Sequence, residues 1–518
     1  MNASAHHIDT DKLIASLPER IDAIVTRGAM AHPELIALRE DARTLTYGQL
    51  ARAVEALAAR LAAAGVRAGD RVMLIGENSV AFVVSLFAVS RLDAWALVAN
   101  ARLSTVELDA IRAHAKPRIA FYAVEASDDA ARHAQRDGAA VESLDAMPIG
   151  AFALSPVDAA SEREPHGLPA QEQCAALIYT TGTTGAPKGV MLSHRNLLFV
   201  AAISSTLRRV GPGDRVYTVL PISHVFGLTS VCLGSLYAGA TLRLAARFDV
   251  EHAGRVLSEE RMTIFQGVPA MHAKLIAHFT PRGGLNAPTL RFVYCGGSPL
   301  DMSLKAAAEA FYGVPLHNGY GMTETSPTVS NTLLDAPARD SSVGPLVPGV
   351  EARIVPFAHQ SDIDGDDTGE LWVRGPNVML GYYRDPAQSA AAVTPDGWLR
   401  TGDLARIDNG NLYIVGRSKE LIIRSGFNVY PAEVEQAINS HPAVLHSAVI
   451  GRRVEGNEDV LAFVELRPGC TTNEDELAEW VSERLAPYKR PASIRILDAL
   501  PVSASGKILK HRLGKLGA

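Results

Sequence analysis

Apolar positions in the first quarter of the chain switch between two periods. After Thr46-Tyr47-Gly48-Gln49, which has the spacing of a capping box, Leu50, Val54, Leu57 and Leu61 recur on one helical face and Gly65 closes the segment. Residues 71–75 form a short apolar run that reads as a strand, followed by a helix through Ser90 and a strand at 95–98. Ser104-Thr105-Val106-Glu107 caps another helix, and 118–122 returns to strand. Strands alternating with helices predict a parallel, doubly wound sheet. From about residue 125 to 173 the chain is Ala-rich and then rich in Ser, Glu and Pro, which reads as a surface connection between two similar subdomains. Alternation then resumes, with strands at 215–220, 241–244, 263–265 and 290–295 and with Pro269 placed for the first turn of a helix. Beyond Ser341 the pattern is β, at 351–355, 369–374 and 404–414, the last folded back at an Asn409-Gly410 turn. The segment from Arg417 mixes helices at 432–439 and 474–485 with strands at 447–450 and 460–466, the pattern of a small α+β lobe. The expected fold is α/β: a large N-terminal domain, 1–416, of two doubly wound subdomains (about 1–165 and 166–335) and a β-rich one (336–416), with a small C-terminal domain, 417–518.

The chemistry concentrates between the apolar run 175–179 and a helix expected behind Ser193. Here the sequence is Thr180-Thr181-Gly182-Thr183-Thr184-Gly185-Ala186-Pro187-Lys188-Gly189. Glycines let backbone N–H groups approach an anion closely, hydroxyls add donors, and Lys188 supplies a mobile point charge. The loop therefore reads as a polyphosphate cradle. It is not a Walker A loop, which needs Gly directly before its Lys where this chain has Pro187. Nor is Gly319-Tyr320-Gly321-Met322-Thr323-Glu324 a dinucleotide fingerprint, because its third glycine position is Glu.

Composition narrows the setting. At 518 residues the chain exceeds one core, and 47% hydrophobic with 20% charged residues fits a globular protein. A net charge of -6 gives no bulk attraction to nucleic acid or anionic lipid, so phosphate binding has to be local. Cys174, Cys232, Cys295 and Cys470 lack metal-ligand spacing and read as reduced thiols of a cytoplasmic protein. The apolar stretches fall short of a membrane span, and neither a secretory signal nor a peroxisomal address is seen. The sequence leaves the oligomeric state open, a homodimer included.

The loop from Tyr179 to His194 resembles the phosphate loop of the adenylate-forming superfamily, which comprises acyl- and aryl-CoA synthetases, luciferases and the adenylation domains of peptide synthetases. Further segments carry the resemblance along nearly the whole chain. It implies that Thr180, Thr181, Gly182, Thr183, Thr184 and Lys188 hold the phosphates of ATP. Gly296, Gly297 and Ser298, from Tyr294-Cys295-Gly296-Gly297-Ser298-Pro299, would pack along adenine. In Asn318-Gly319-Tyr320-Gly321-Met322-Thr323-Glu324, Tyr320 can stack on the base and Thr323 can donate to the α-phosphate. Glu324 offers a hard oxygen ligand for Mg²⁺, an ion usually held by one or two carboxylates plus substrate phosphates. Asp403 matches the family's ribose-binding carboxylate with Arg417 helping, although on the residues alone an Asp–Arg ion pair reads equally well. Lys419 matches the hinge about which a mobile small lobe swings, Gly426 lies with Phe427 and Tyr488 where CoA-using relatives pass pantetheine, and Lys507 matches the catalytic lysine.

His224, in Pro221-Ile222-Ser223-His224-Val225-Phe226, matches a His/aromatic gate between acyl pocket and thiol tunnel. With it, Val225, Phe226, Gln266, Gly267, Met271, Gly296 and Met322 are the acyl-pocket candidates. Ile222 and Ser223 provide no carboxylate where amino-acid-adenylating relatives place one, which argues against amino-acid substrates. The set contains no Lys or Arg for a second carboxylate, which argues against dicarboxylates such as malonate. The expected enzyme is an AMP-forming carboxylic acid–CoA ligase that uses Mg²⁺, ATP and CoA on a medium-chain fatty or aromatic acid. The alternatives are an adenylating enzyme serving a carrier protein, a luciferase-like oxygenase, and a catalytically silent binding relative.

Overall fold

The structure is a computed structural model that describes residues 8–41, 43–144, 147–181, 187–356, 368–424, 427–454, 457–502 and 508–514. Two eight-stranded sheets organise its larger part. The first runs, edge to edge, through Gly381–Tyr382, Pro187–Ser193, Cys174–Thr181, Trp95–Asn100, Arg71–Gly76, Ile119–Tyr122, Phe152–Leu154 and Ala140–Glu142. The second runs through Thr328–Asn331, Leu316–Gly321, Phe292–Cys295, Ile264–Gly267, Arg215–Thr218, Thr241–Leu244, Ile36–Arg39 and Thr44–Thr46. The central strands of each are parallel, and their side chains alternate between two cores, as expected of sheets covered on both faces.

Val72 and Leu74 face one core while Met73 and Ile75 face another. The first of these cores is shared. It takes in the inner faces of both sheets and the helices Val80–Arg91 and His194–Leu207, whose residues are buried almost throughout. That explains why neither helix has a polar face in its sequence. Helices Thr105–Ala115 and Asp128–Arg136 cover the outer face of the first sheet, and Val250–Glu259, Pro269–Phe279 and Met302–Tyr312 cover that of the second.

Most expected elements appear where the pattern places them. Thr46 and Ser104 form the capping boxes, Pro269 opens its helix, and Asn409 and Gly410, with φ of +49° and +79°, make the hairpin turn. Three readings need correction. The chain does not pass from the cradle straight into a helix: Pro187–Ser193 is a strand antiparallel to Cys174–Thr181, and the helix follows, with Ser193 as its cap. The stretch 125–173 is not only a connection, since it contributes helix Asp128–Arg136 and the last two strands of the first sheet, with Phe152, Ala153 and Leu154 buried. Nor do the sheets follow consecutive blocks of sequence, because Ile36–Arg39 pairs with Thr241–Leu244 while Cys174–Thr181 joins the first sheet. Periodicity reports which segments are strands, not which partner each finds.

A four-stranded antiparallel sheet, Glu351–Val355, Gly369–Arg374, Leu399–Asp408 and Asn411–Arg417, follows. The C-terminal part has a core of its own, formed by Val434, Ile438, Leu477 and Val481 packed on a three-stranded sheet, Val444–Val454, Asn457–Leu466 and Ser493–Leu497. Among the described residues no helix is long and apolar enough to cross a membrane.

Asn78 clamps the two large sheets. It leaves the first sheet just past Arg71–Gly76, is 4% exposed, and donates through Nδ2 to the carbonyls of Leu220 at 2.9 Å and Thr218 at 3.3 Å. Its Oδ1 accepts from the Ile222 N–H at 2.8 Å. Asn78→Ala would remove the side-chain partner of the Leu220 carbonyl and the Ile222 N–H, while the Thr218 carbonyl keeps the Ala245 N–H, and is expected to destabilise the large domain by about 2–4 kcal/mol. Chemical denaturation measures this directly, and a loss below about 1 kcal/mol would show that the clamp is dispensable.

Candidate active site

The candidate residues converge where the carboxyl ends of the second sheet's strands meet one edge of the first, the usual mouth of an open α/β sheet. Thr180 faces Lys188 across the hairpin, and Thr181 faces Pro187. Next to Pro187–Ser193, the two-residue strand Gly381–Tyr382 pairs with Met191 and Val190 and brings a tyrosine that sequence reasoning missed. Lys188 Nζ lies 5.5 Å from the centroid of the Tyr382 ring, a cation–π distance. The Tyr382 hydroxyl donates to Glu324 Oε1 at 2.9 Å, and the Met379 N–H donates to the Glu324 carbonyl, also at 2.9 Å. Burial, and then the Glu324 carboxylate, push the Tyr382 phenol above its ordinary range, so it stays a donor. Only Gly-Tyr-Tyr beside an apolar segment marked this position, too common a pattern to single out.

The strand Leu316–Gly321 carries Asn318, Gly319, Tyr320 and Gly321 toward the same place. It pairs with Thr328–Asn331 so tightly that a Cβ on Gly321 would stand 1.6 Å from the Pro327 carbonyl oxygen, and one on Gly319 would stand 2.4 Å from the Ser330 oxygen. Met322 is partly buried, Thr323 is 9% exposed, and Glu324 lies in the 3₁₀ turn Thr323–Thr325. The Asn318 Oδ1 is buried with no partner among the described residues.

The Tyr320 hydroxyl donates to Asp403, which brings the four-stranded sheet into the site. Burial, and then the Asp403 carboxylate, raise the Tyr320 phenol well above its usual range. Asp403 and Arg417 are direct partners across the hairpin, with Nε 3.2 Å from Oδ1, so the ion pair that the residues alone allowed is present. Lys419 is exposed in the turn Ser418–Glu420, just beyond this pair.

The acyl-pocket candidates form one wall. Phe226–Leu233 is a π-helix, a wide turn often found at functional sites, and a Cβ on Gly227 at its start would lie 2.2 Å from the Pro221 carbonyl oxygen. His224 precedes it, with Nδ1 accepting from the Phe226 N–H at 3.3 Å, so a neutral imidazole carries its proton on Nε2. Phe226 meets Tyr294 edge to face at 5.8 Å, and a Cβ on Gly296 would lie 3.0 Å from the Phe226 ring. Gly296 is buried, whereas Gly297 is exposed at a φ of +80° beside Ser298. Val225, Gln266 and Gly267 are buried, and Met271 is partly so.

Sequence reasoning also missed Arg208, which is 1% exposed and donates to the Gln266 side chain at 2.9 Å. The candidate set itself holds no Lys or Arg, but the fold brings Arg208 against one of its members, Gln266. The sequence could not show this, because Arg208 ends helix His194–Leu207 and reaches the pocket strands only through the fold.

In the small lobe, strand Phe427–Val429 packs beside the turn Pro487–Lys489 that holds Tyr488, so these CoA-tunnel candidates are neighbours in backbone terms. Gly182, Thr183, Thr184, Gly426 and Lys507 lie outside the described residues. Among the described residues no group of three His, Cys, Asp or Glu side chains forms a metal cage. A lone carboxylate such as Glu324 fits the chemistry of Mg²⁺, which is completed by substrate phosphates and water.

This layout defines a nucleotide-dependent enzyme built across three sheets. The chain belongs to the AMP-binding enzymes, the adenylate-forming family: the family model matches residues 25–383, and the model of the AMP-binding enzyme C-terminal domain matches 433–507. It is 36% identical to a feruloyl-CoA synthase of Amycolatopsis sp. over 491 residues, covering 93% of this chain and 96% of the relative. It is also 36% identical to an indoleacetate–CoA ligase of Aromatoleum aromaticum over 505 residues, covering 95% and 97%. The solved O-succinylbenzoate coenzyme A synthetase of Bacillus subtilis, in complex with ATP and magnesium ion, superposes with a TM-score of 0.79 at 29% identity, covering 95% and 98%. Acyl- and aryl-CoA ligases are thus the chain's relatives, and ATP and CoA are the substrates of that class.

Gly321→Ala tests the site's geometry. The added methyl cannot fit beside Pro327, so stability is expected to fall by about 2–3 kcal/mol and ATP should no longer raise the melting temperature. A variant that melts with the parent and keeps its ATP-dependent shift would contradict this packing.

Proposed function

We propose that the protein is an AMP-forming carboxylic acid–CoA ligase acting on an acid with an aromatic or medium-chain apolar body. The observation that supports this best is the linkage of Lys188, Tyr382 and Glu324, together with that of Tyr320, Asp403 and Arg417. It gathers the residues matching the family's phosphate, metal, base and ribose positions at one mouth. The apolar wall of Val225, Phe226 and Met271 supports an apolar acyl body, and the feruloyl and indoleacetate relatives favour the aromatic choice.

In this reading Lys188, with the cradle Thr180–Thr184, holds the ATP phosphates, and Thr323 donates to the α-phosphate. Tyr320 stacks on the base beside Gly296, Gly297 and Ser298, while Asp403 and Arg417 take the ribose. The first half-reaction joins two anions, a carboxylate and a phosphate, so charge neutralisation dominates the barrier. Mg²⁺, held by Glu324, supplies Lewis-acid charge when bound. Tyr382 orients Glu324 through its hydrogen bond. Carboxylate oxygen attacks the α-phosphorus and pyrophosphate departs; the CoA thiol then attacks the acyl carbon and AMP departs.

The two halves need different faces of the small lobe, Lys507 for the first and Gly426, Phe427 and Tyr488 for the second. Rotation about Lys419 would exchange them. His224 would gate the passage between acyl pocket and thiol tunnel. Ile222, which is fully buried, and Ser223 offer no carboxylate to anchor an ammonium group, which argues against amino-acid substrates.

Glu324→Gln keeps the shape and removes the charge. Acyl-AMP formation is expected to fall about a hundredfold or more with the fold intact. A near-parental pyrophosphate-release rate at limiting Mg²⁺ would remove Glu324 from the metal role. Lys507→Ala should cost the adenylation half about 3–4 kcal/mol and spare thioester formation from supplied acyl-AMP. Gly426→Leu should do the reverse. Pre-steady-state rates of both halves decide, and equal losses in both variants would refute the exchange of faces.

A further inference from the structure

Four Lys or Arg side chains are buried among the described residues, and three of them have carboxylates. Arg71 pairs with Glu164 at 2.6 Å, Lys305 with Glu309 at 2.7 Å, and Arg243 with Asp41 and with Glu260 at 3.0 Å. Arg208 has no carboxylate within ion-pair distance among the described residues. Its Nη1 donates to Gln266 Oε1 at 2.9 Å and, at 3.5 Å, to the Ser230 carbonyl; its Nη2 reaches Asn331 Oδ1 at 3.5 Å. These three acceptors are neutral, as is the Tyr294 phenol that also interacts with the guanidinium; two of the three lie at the long limit of a hydrogen bond, and Nε has no acceptor among the described residues. A cation taken out of water is normally retained only when paired, and the other three obey that rule.

The placement of this guanidinium is specific. It lies 4.5 Å from the centroid of the Tyr294 ring and 5.9 Å from that of Phe292. Gln266 and Tyr294 are register partners on adjacent parallel strands, directly before Gly267 and Cys295-Gly296. Tyr294 in turn packs on Phe226. Arg208 therefore stands behind the wall that carries the acyl-pocket candidates, its far side reaching Asn331, the register partner of Gly319. The surrounding groups are polar as well: Ser230 Oγ and Thr328 Oγ1 lie 3.2 Å apart, both buried. Nearby His317 is pushed down to about 4 by burial, with Lys305 and Arg208 adding to the shift, so it is neutral and supplies no countercharge. An arginine needed only to fill volume here would be better replaced by Met or Leu.

We propose that Arg208 receives a second, anionic group at the far end of the acid substrate, so that the ligase acts on acids carrying a distal carboxylate on an apolar body. This rests on the ligase reading and specifies its substrate class. The guanidinium has donors to spare for a carboxylate, and Gln266, Ser230 and Asn331 hold it in place meanwhile. On this proposal the distal group is the anchor and the length of the acid's apolar body the gauge.

The test compares isosteric pairs that differ only in charge. One pair is 4-carboxycinnamate against 4-carbamoylcinnamate. The other is a series of α,ω-dicarboxylates from six to ten carbons against their half-amides. At the fitting length the parent enzyme is expected to prefer the dianion at least tenfold in kcat/KM, chiefly through KM. Arg208→Met should abolish or invert that preference while keeping turnover of the neutral partner, and Arg208→Lys should retain part of it. The inference is overturned if no pair favours the dianion, or if Arg208→Met lowers charged and neutral acids equally. Should Arg208→Met melt far below the parent, the parent's own selectivity and Arg208→Lys still decide. If dianions fail while neutral acids yield AMP, only this inference falls. If no acid yields AMP, the ligase reading falls with it.

Discussion

Much of the site hangs on a strand two residues long. Gly381–Tyr382 adds to the edge of the first sheet beside Pro187–Ser193, and from there the Tyr382 hydroxyl reaches Glu324, which belongs to the segment following the second sheet's strand Leu316–Gly321. One side chain thereby fixes the distance between the hairpin bearing Lys188 and the turn bearing Glu324. Edge strands expose unpaired backbone groups, and here the protein uses that property to recruit a distant segment. Asn78 performs the complementary task deeper in the molecule, tying the first sheet to the backbone just before His224. The two contacts leave little freedom at the mouth where the phosphate, base and acyl candidates meet.

Buried charge is distributed by a consistent rule with one exception. Arg71, Arg243 and Lys305 sit against carboxylates. Among the buried Lys and Arg of the described residues, Arg208 alone is surrounded by amides, a carbonyl and aromatic rings. Burial pulls its guanidinium below the ordinary arginine range, although an arginine keeps its charge under any ordinary condition. A retained, unpaired charge at a pocket wall is the sort of local inconsistency that function explains and stability does not.

How far the sequence discloses the site depends on whether the signal is local. Capping boxes at Thr46 and Ser104 and the Asn409-Gly410 turn are short-range patterns, and each appears in the structure where the pattern puts it. The pairing of Asp403 with Arg417 is a reading the residues alone allow, whereas the contact of Tyr320 with Asp403 comes from the fold. What stayed illegible was long-range. The pairing of Ile36–Arg39 with Thr241–Leu244 leaves no trace in either segment's composition. Tyr382 looks like any tyrosine after a glycine, and Arg208 sits at a helix end where basic residues are commonplace. In each case the informative quantity is a contact between positions far apart in the chain.

The junction with the small lobe follows from the same logic of short anchors. Beyond Arg417, Ser418 Oγ donates to the Gly402 carbonyl at 3.0 Å, which holds the near side of the turn to the four-stranded sheet. On the far side Lys510 Nζ lies 2.8 Å from Glu420 and 2.9 Å from Glu435. Burial lowers the Lys510 ammonium, but the two carboxylates outweigh it and raise it above its usual range, so Lys510 stays charged. Lys419 falls between these anchors and is itself exposed. A rotation at that residue would carry Glu420, Glu435 and Lys510 together, since Lys510 ties the two carboxylates to each other. On the proposed mechanism, that coupling is what lets a single backbone turn withdraw the catalytic lysine and present the thiol passage in the same motion.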